Sequence, residues 1–494
     1  MLNIVDNFLN AITMYRLVLY YLIFLLLVAL VFSLFGILPF GPISLTVSTL
    51  VLLGVGYGTN KILGKIFGAI TNLESVYISV LILALIITPI KSLAGIPFLV
   101  FAAILTMASK YILTIHRKHM FNPVAIALVI TGLTSIGYAS WWIGTLCMFP
   151  FVLTGILIVR KIRRFDLVFY FVIASVITTF MVAFTRGNMN PVTILKGMFI
   201  DSPLLFFAFV MLTEPLTTPP TAVLQSIYGG LVGILFSPVH VGSFFISPEM
   251  ALAIGNVFSY IVSPKEKLIL KLKEKVKLAQ NVYDFIFTSS EKLDFIAGQY
   301  LEWTLGHKNP DARGNRRYFT VASSPTEADI RIGVKFADNS SSFKKEMLGM
   351  RLGSKIVASQ LSGEFTLMKD KNQKLVFIAG GIGVTPYRSI VKYLIDTGEK
   401  RDIVLLYTDR NEADMVYKQV FDEGVKKIGM KVWYVATSKE GRITTDMIKD
   451  KIPDYKERFF YISGSHGMVT GFEKLMEEMK LPKGQLKVDY FPGF

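Results

Sequence analysis

The chain has 494 residues, 52% hydrophobic and only 18% charged, long enough for two or three domains and too apolar for an ordinary soluble protein. Its formal charge of +16 could suit nucleic acid, but the basic residues gather at the ends of apolar segments, the pattern of a membrane protein, so nucleic acid is set aside as a partner. The single cysteine, Cys147, lies in an apolar stretch, which excludes disulfides and any cysteine-ligated iron–sulfur cluster within the chain.

Apolar runs matched to bilayer thickness suggest about ten transmembrane helices over residues 1–263, from Leu17–Leu38 to Met250–Ser263, hence a polytopic α-helical membrane domain in a lipid bilayer. The first run is too long for a signal-peptide core and lacks a small-residue cleavage site. Counting ten spans puts Lys61, Lys65, Lys110, Arg117, Lys118, Arg160, Lys161, Arg163, Arg164, Lys265 and Lys267 on one side, while the other side holds little beyond Lys91, Arg186 and Lys196. The positive-inside rule then places both termini in the cytoplasm, with the chain in the cell (inner) membrane.

Three segments of this half break helices with an Asx-Pro or Glu-Pro pair: His116-Arg117-Lys118-His119-Met120-Phe121-Asn122-Pro123, Arg186-Gly187-Asn188-Met189-Asn190-Pro191, and the run from Ser202-Pro203 to Thr213-Glu214-Pro215. Each reads either as a structural kink or as freed backbone donors that hold an anion or a flavin edge. Glu214, an ionisable group beside a broken helix, is either a functional carboxylate or an ion-paired structural one. His116, His119 and His240 do not form the two-per-helix ladder of a transmembrane dihaem, and no metal site is expected.

From Gly54 to Ser263 these motifs resemble the flavin-carrying membrane subunits of the sodium-pumping NADH:quinone oxidoreductase and of the Rnf complex. The resemblance implies a flavin-binding role for Asn122, Asn190 and Glu214. That family attaches FMN to a threonine in a Ser-Gly-Ala-Thr-Pro type motif; the matching segment here is Asn188-Met189-Asn190-Pro191, with Asn190 where the threonine would stand. The implied second flavin, FMN or riboflavin, is therefore non-covalent if present.

Residues 265–370 carry short alternating strands between Gly, Pro and charged turns, as in an antiparallel β-barrel, and residues 371–494 alternate strands with helices, as in a doubly wound α/β domain. The barrel segment contains Arg317-Tyr318-Phe319-Thr320, in which a guanidinium can clamp a diphosphate, an aromatic ring can stack on an isoalloxazine and a hydroxyl can reach its edge. Gly298-Gln299-Tyr300 lies upstream; Ser341 and Ser342 lie downstream, ahead of a helix, with hydroxyls suited to phosphate oxygens. The α/β segment opens with an apolar strand running into Gly380-Gly381-Ile382-Gly383-Val384-Thr385-Pro386, a turn that lets backbone approach a dinucleotide diphosphate.

This order of motifs resembles the ferredoxin–NADP reductase superfamily over about Lys265 to Phe494. The resemblance implies FAD and NADH or NADPH as cofactors. It implies Arg317 on the FAD diphosphate, Phe319 and neighbouring Tyr318 at the flavin, Thr320 near its N5, Ser341 or Ser342 supporting the diphosphate, and Gly380, Gly381, Gly383, Thr385 and Pro386 on the dinucleotide. Where the family has Cys-Gly-Pro-x-x-Met beside the nicotinamide, this chain reads Ser463-Gly464-Ser465-His466-Gly467-Met468, which puts Ser463, Gly464 and Met468 there. A terminal aromatic, Phe491 or Phe494, either gates nicotinamide entry or belongs to a disordered tail. Asp409 suits a free ribose hydroxyl and Arg410 a phosphate, so the choice between NADH and NADPH stays open with a lean to NADH. The expected function is electron transfer from NAD(P)H through FAD to a second flavin or a quinone in the membrane domain. The alternatives are a redox-driven or redox-sensing ion or solute translocator, and a reductase merely anchored in the membrane.

Overall fold

The computed structural model describes residues 5–491 except 6–7, 10–11, 69–71, 116–117, 188–189, 239, 242–243, 263–266, 309 and 312. His116, Arg117, Asn188, Met189, Lys265 and Phe494 lie outside the described residues. The chain divides into two compact units, Met1–Lys267 with Ala312–Gly314, and Leu268–Asp311 with Asn315–Phe494.

The first unit is helical. Its main helices are α1 (Met14–Leu34), α2 (Pro42–Ile66), α3 (Leu73–Ile86), α4 (Ile96–Ile112), α5 (Pro123–Leu133), α6 (Ile156–Ile162), α7 (Phe165–Thr185), α8 (Pro191–Phe199), α9 (Leu204–Met211), α10 (Ala222–Phe236) and α11 (Pro248–Val262). Prolines at the first turn and Asx or Thr caps start them: Asn122 caps α5, Asn190 caps α8 and Thr221 caps α10. Among the described residues, four helices are long and apolar enough to cross a membrane, or five if the α8–α9 pair, bent by 50°, is one broken span. The apolar α3, α5, α10 and α11 run 11–15 residues, short of the roughly 20 of a straight span. Among the packed pairs, α7 and α10 are tightest: a Cβ on Gly229 or Gly233 would overlap the carbonyls of Leu167 and Phe171.

The second unit opens with a six-stranded antiparallel sheet. Its strands are β1 (Leu268–Ala279), β2 (Val282–Thr288), β3 (Tyr300–Thr304), β4 (Arg316–Thr320), β5 (Ile330–Lys335) and β6 (Lys355–Ser362), in the order β4-β3-β6-β1-β2-β5, with helix α12 (Ser342–Leu348) after β5. Alternation drives it: Leu268, Leu270 and Leu272 of β1 point into a core with Phe285, Phe287 and Trp303, while the intervening residues are exposed. Just past β4, Ala322 N–H donates to Arg331 O of β5 at 2.8 Å, bringing the two ends of the sheet together.

A five-stranded parallel sheet follows, with β7 (Leu375–Gly380), β8 (Ile403–Asp409), β9 (Lys431–Ala436), β10 (Phe459–Ser465) and β11 (Leu486–Phe491) ordered β9-β8-β7-β10-β11. Helices α13 (Thr385–Thr397), α14 (Lys418–Ile428), α15 (Thr445–Lys451) and α16 (His466–Glu478) connect its strands. β7 is buried along nearly its whole length, as a central strand covered on both faces must be. From β7 the chain builds outward through β8 to β9, then returns to β10 on the other side, so the topological switch point lies between β7 and β10.

Candidate functional site

At that switch point the carboxyl ends of β7 and β10 open a crevice, the place where open α/β sheets take ligands. Gly380 ends β7, and a single 3-10 turn, Gly381–Val384, leads into α13. Gly381 has φ +55, a left-handed conformation that disfavours a side chain, and a Cβ there would still sit in open contact, 3.5 Å from Asp409 Oδ2 and 3.8 Å from Lys335 Nζ. At Gly383 a Cβ would lie 2.5 Å from Ser463 O and 2.6 Å from Gly464 Cα, so only glycine lets the turn close on β10. On the crevice's other side the flexible Met468 thioether lies against Gly380 and Gly464. Thr385 and Pro386 form the first turn of α13 and are buried. Ser463 is fully buried and its hydroxyl has no hydrogen-bond partner among the described residues. A desolvated hydroxyl with no partner, in a cradle that excludes Cβ atoms, fits a dinucleotide. The sequence assignments Gly380, Gly381, Gly383, Thr385, Pro386, Ser463, Gly464 and Met468 thus converge on one crevice. Arg410 is exposed just beyond β8, where its N–H donates to Asp409 Oδ1 at 2.7 Å, and Phe491 ends β11 beside Ser465.

Along β4 the alternation of a strand sorts the flavin motif onto two faces. Arg317 and Phe319 both meet Phe343 of α12, the guanidinium 5.3 Å from its ring and Phe319 at 6.0 Å between centroids. Tyr318 faces outward, edge-on to Tyr300, with its hydroxyl donating to Glu302 Oε2 at 2.9 Å. Thr320 is buried opposite Tyr300. Ser341 spends its hydroxyl capping α12 on Lys344 N–H, and Ser342 O–H is engaged by Asp311 N–H and His307 Nε2. Asp311 is the residue the sequence motifs did not single out. Its carboxylate accepts from Ser342 N–H at 2.9 Å and lies 3.9 Å from the Arg317 guanidinium. A carboxylate already seated between these two groups shows that the buried arginine and Ser342 form an anion-accepting pair, which fits the FAD diphosphate.

A buried polar seam ties the antiparallel sheet to α13 and α14. Arg388 of α13 forks onto Glu327, with Nη2–Oε1 at 2.8 Å, and also donates to Ala322 O at 3.0 Å, while Ser389 O–H donates to Ser323 O at 2.6 Å. Asp284 of β2, fully buried, takes Arg331 at 2.5 Å and the Tyr417 hydroxyl. Burial pushes the Asp284 carboxyl up, against the hydrogen bonds of Tyr417 and Arg331. Burial also opposes ionisation of Glu327, yet its pairing with Arg388 holds that carboxyl below the usual range. The seam sets the segment after β4 against the glycine turn, so the two halves of the candidate site are held in fixed register.

In the helical unit Asn122 and Glu214 meet: Asn122 Nδ2 donates to Glu214 Oε2 at 2.8 Å. Thr217 O–H reaches the same oxygen at 3.3 Å, and His119 Nε2 lies 3.8 Å from Oε1. Asn122 N–H donates to Asn256 Oδ1, whose amide donates to the buried Tyr228 hydroxyl at 3.0 Å. Arg164, at the start of α7, donates to Thr213 O at 3.3 Å and to the Thr218 hydroxyl, anchoring the segment that carries Glu214. Asn190 stands apart from this cluster. It follows the far end of α7, a helix of 21 residues and so about 30 Å long, and its side chain caps α8 at an exposed position. Asn256 and Tyr228 escape the sequence motifs, although a lone amide within the apolar run of α11 is a detectable signal. Among the described residues no group of three or more His, Cys, Asp or Glu could hold a metal ion.

Residues 377–474 match the oxidoreductase NAD-binding domain family. The chain is 22% identical over 234 residues to flavohemoprotein A of Dictyostelium discoideum, covering 44% of this chain and 58% of that protein, so it spans little more than half of that relative's length. It is 26% identical over 255 residues to NADH-cytochrome b5 reductase 1 of Ajellomyces capsulatus, covering 47% of this chain and 82% of that protein. It is 25% identical over 236 residues to the NAD(P)H-flavin reductase of Aliivibrio fischeri, covering 45% of this chain and 97% of that protein. Among solved structures, ferredoxin-NADP+ reductase from Plasmodium falciparum aligns with a TM-score of 0.40 at 19% identity, over 46% of this chain and 97% of that one. Residues 377–474 thus match an oxidoreductase NAD-binding domain, and the C-terminal part of the chain is similar to NAD(P)H-dependent flavin reductases over most of their length.

Proposed function

We propose that the protein is a membrane flavoenzyme that passes electrons from NADH or NADPH, through FAD held by its C-terminal module, to an acceptor bound in its helical unit. The observation that carries this reading is the switch-point crevice, where Gly383 excludes a side chain beside the unpartnered Ser463 hydroxyl. FAD, when bound, supplies hydride acceptance and one-electron release. The chain's residues bind and orient. Arg317, backed by the Phe343 ring, and Ser342 N–H hold the diphosphate, and Phe319 and Tyr318 offer aromatic surface on either face of β4. The glycine turn admits the dinucleotide, and the buried Ser463 O–H would be available to donate to the nicotinamide carboxamide. Asp409, the acid at the end of β8, favours a free ribose hydroxyl and hence NADH.

The bilayer as surroundings is supported by large apolar side chains left exposed along the long helices, among them Leu34 at 65% and Ile62 at 62%. The acceptor, a quinone or a non-covalent FMN or riboflavin, is assigned to the Asn122–Glu214 cluster, where a carboxylate, two amides and a tyrosine meet inside apolar helices. Basic residues gathered at the ends of the apolar helices support a cytoplasmic side for the termini and the module. The test is to purify the full chain in detergent, count flavins released by acid, and measure quinone reduction by NADH. One FAD or more with quinone reduction is expected; one FAD with no quinone reduction contradicts the membrane acceptor and leaves a simply anchored reductase.

A further inference from the structure

We propose that Thr408, a residue to which the motif resemblance assigns no role, is a dinucleotide-binding residue whose hydroxyl donates to the diphosphate of NAD(P)H. Thr408 lies in β8 directly opposite Gly380 in the parallel register, one strand out from the switch point and beside the glycine turn. Strand alternation puts it on the face of Leu406, which joins Val376, Ile378, Ile462 and Val469 in an apolar layer under α16. At the carboxyl edge that apolar layer ends in a hydroxyl. The side chain is 8% exposed, and Oγ1 has no hydrogen-bond partner among the described residues. A threonine in a strand interior normally finds an acceptor, and a valine of the same shape would spare the desolvation of its hydroxyl. An O–H left unmade at the rim of a crevice is a donor reserved for a ligand acceptor.

Its position selects the acceptor. Ser463 lies across β7 from Thr408, on β10, and points to the opposite face of the sheet, so the two unpartnered hydroxyls flank the glycine turn from both sides. A dinucleotide that leaves its nicotinamide at Ser463 and crosses Gly380-Gly381 brings its diphosphate oxygens over β8. Next along the strand, Asp409 alternates to the other face, where Lys335 at 3.4 Å and Arg410 N–H already match its charge. The hydroxyl therefore faces the crossing point without an adjacent uncompensated carboxylate.

This inference rests on the functional reading above, and the probe separates the two. Binding of ADP-ribose, which keeps the diphosphate and lacks nicotinamide, is measured by calorimetry on the flavin-loaded full chain. Thr408→Val is expected to weaken ADP-ribose at least about tenfold, the scale of a lost hydrogen bond to a charged group, while its melting temperature stays level or rises. Thr408→Ser, which keeps the hydroxyl, restores affinity. If Thr408→Val binds ADP-ribose as tightly as the parent, or loses affinity only together with stability, the assignment of Thr408 is overturned and the crevice stands. If the parent itself does not bind ADP-ribose, both this assignment and the nucleotide reading fall.

Discussion

Arg317 is held against Phe343 with its guanidinium nearly sealed from solvent, and the anion beside it is the chain's own Asp311. A diphosphate that reaches Arg317 must displace that carboxylate from Ser342 N–H. Asp311→Asn removes the competing charge and is expected to tighten FAD binding several-fold in a flavin-fluorescence titration, whereas Arg317→Ala weakens it; a looser Asp311→Asn protein would contradict the role given to the carboxylate. A second charge cluster lies at the other end of the parallel sheet. There the pairing of Arg458, then that of Lys374, holds the Asp454 carboxyl at about 2 against an ordinary 3.8. A depressed acid stabilises the fold above its unfolded value and loses that contribution as pH falls through its folded value. Thermal melts are therefore expected to show an Asp454-dependent loss of stability between about pH 4 and pH 2 that Asp454→Asn abolishes.

At the scale of elements, two glycine contacts set how closely backbones approach. Gly383→Ala drives a methyl into the β10 backbone and is expected to destabilise the module by about 1–3 kcal/mol in denaturant unfolding, with dinucleotide affinity lost in parallel. Gly380→Ala meets only the flexible thioether of Met468 and is expected to lose less. In the helical unit, Gly233→Leu separates α7 from α10 and is expected to lower the melting temperature in detergent. The β–turn–helix at Gly380 is legible in the sequence because a buried apolar run stops at glycines whose geometry has one use. Helix ends are less so: apolar runs expected to reach Ile90 and Tyr138 leave the helices α3 and α5 at Ile86 and Leu133, because hydropathy registers apolar length and not the turn that ends a helix. Asp311 and Tyr228 were illegible for another reason. Each acquires its role from a neighbour distant in sequence, Asp311 from Ser342 and Tyr228 from Asn256, and no local pattern records that pairing.

For the whole molecule, the proposal joins a hydride-accepting module to an acceptor in apolar helices, and the two parts separate experimentally. Glu214→Gln keeps the shape of the Asn122 contact but removes its charge. It is expected to leave NADH-driven reduction of a soluble artificial acceptor intact while lowering quinone reduction about tenfold or more; equal loss of both would assign Glu214 a structural role. The most direct test of the central claim is anaerobic mixing of the FAD-loaded full chain with NADH, followed by the visible flavin absorbance. Rapid bleaching that saturates with NADH concentration is the expected result, and a flavin that stays oxidised in excess NADH and excess NADPH would contradict the account.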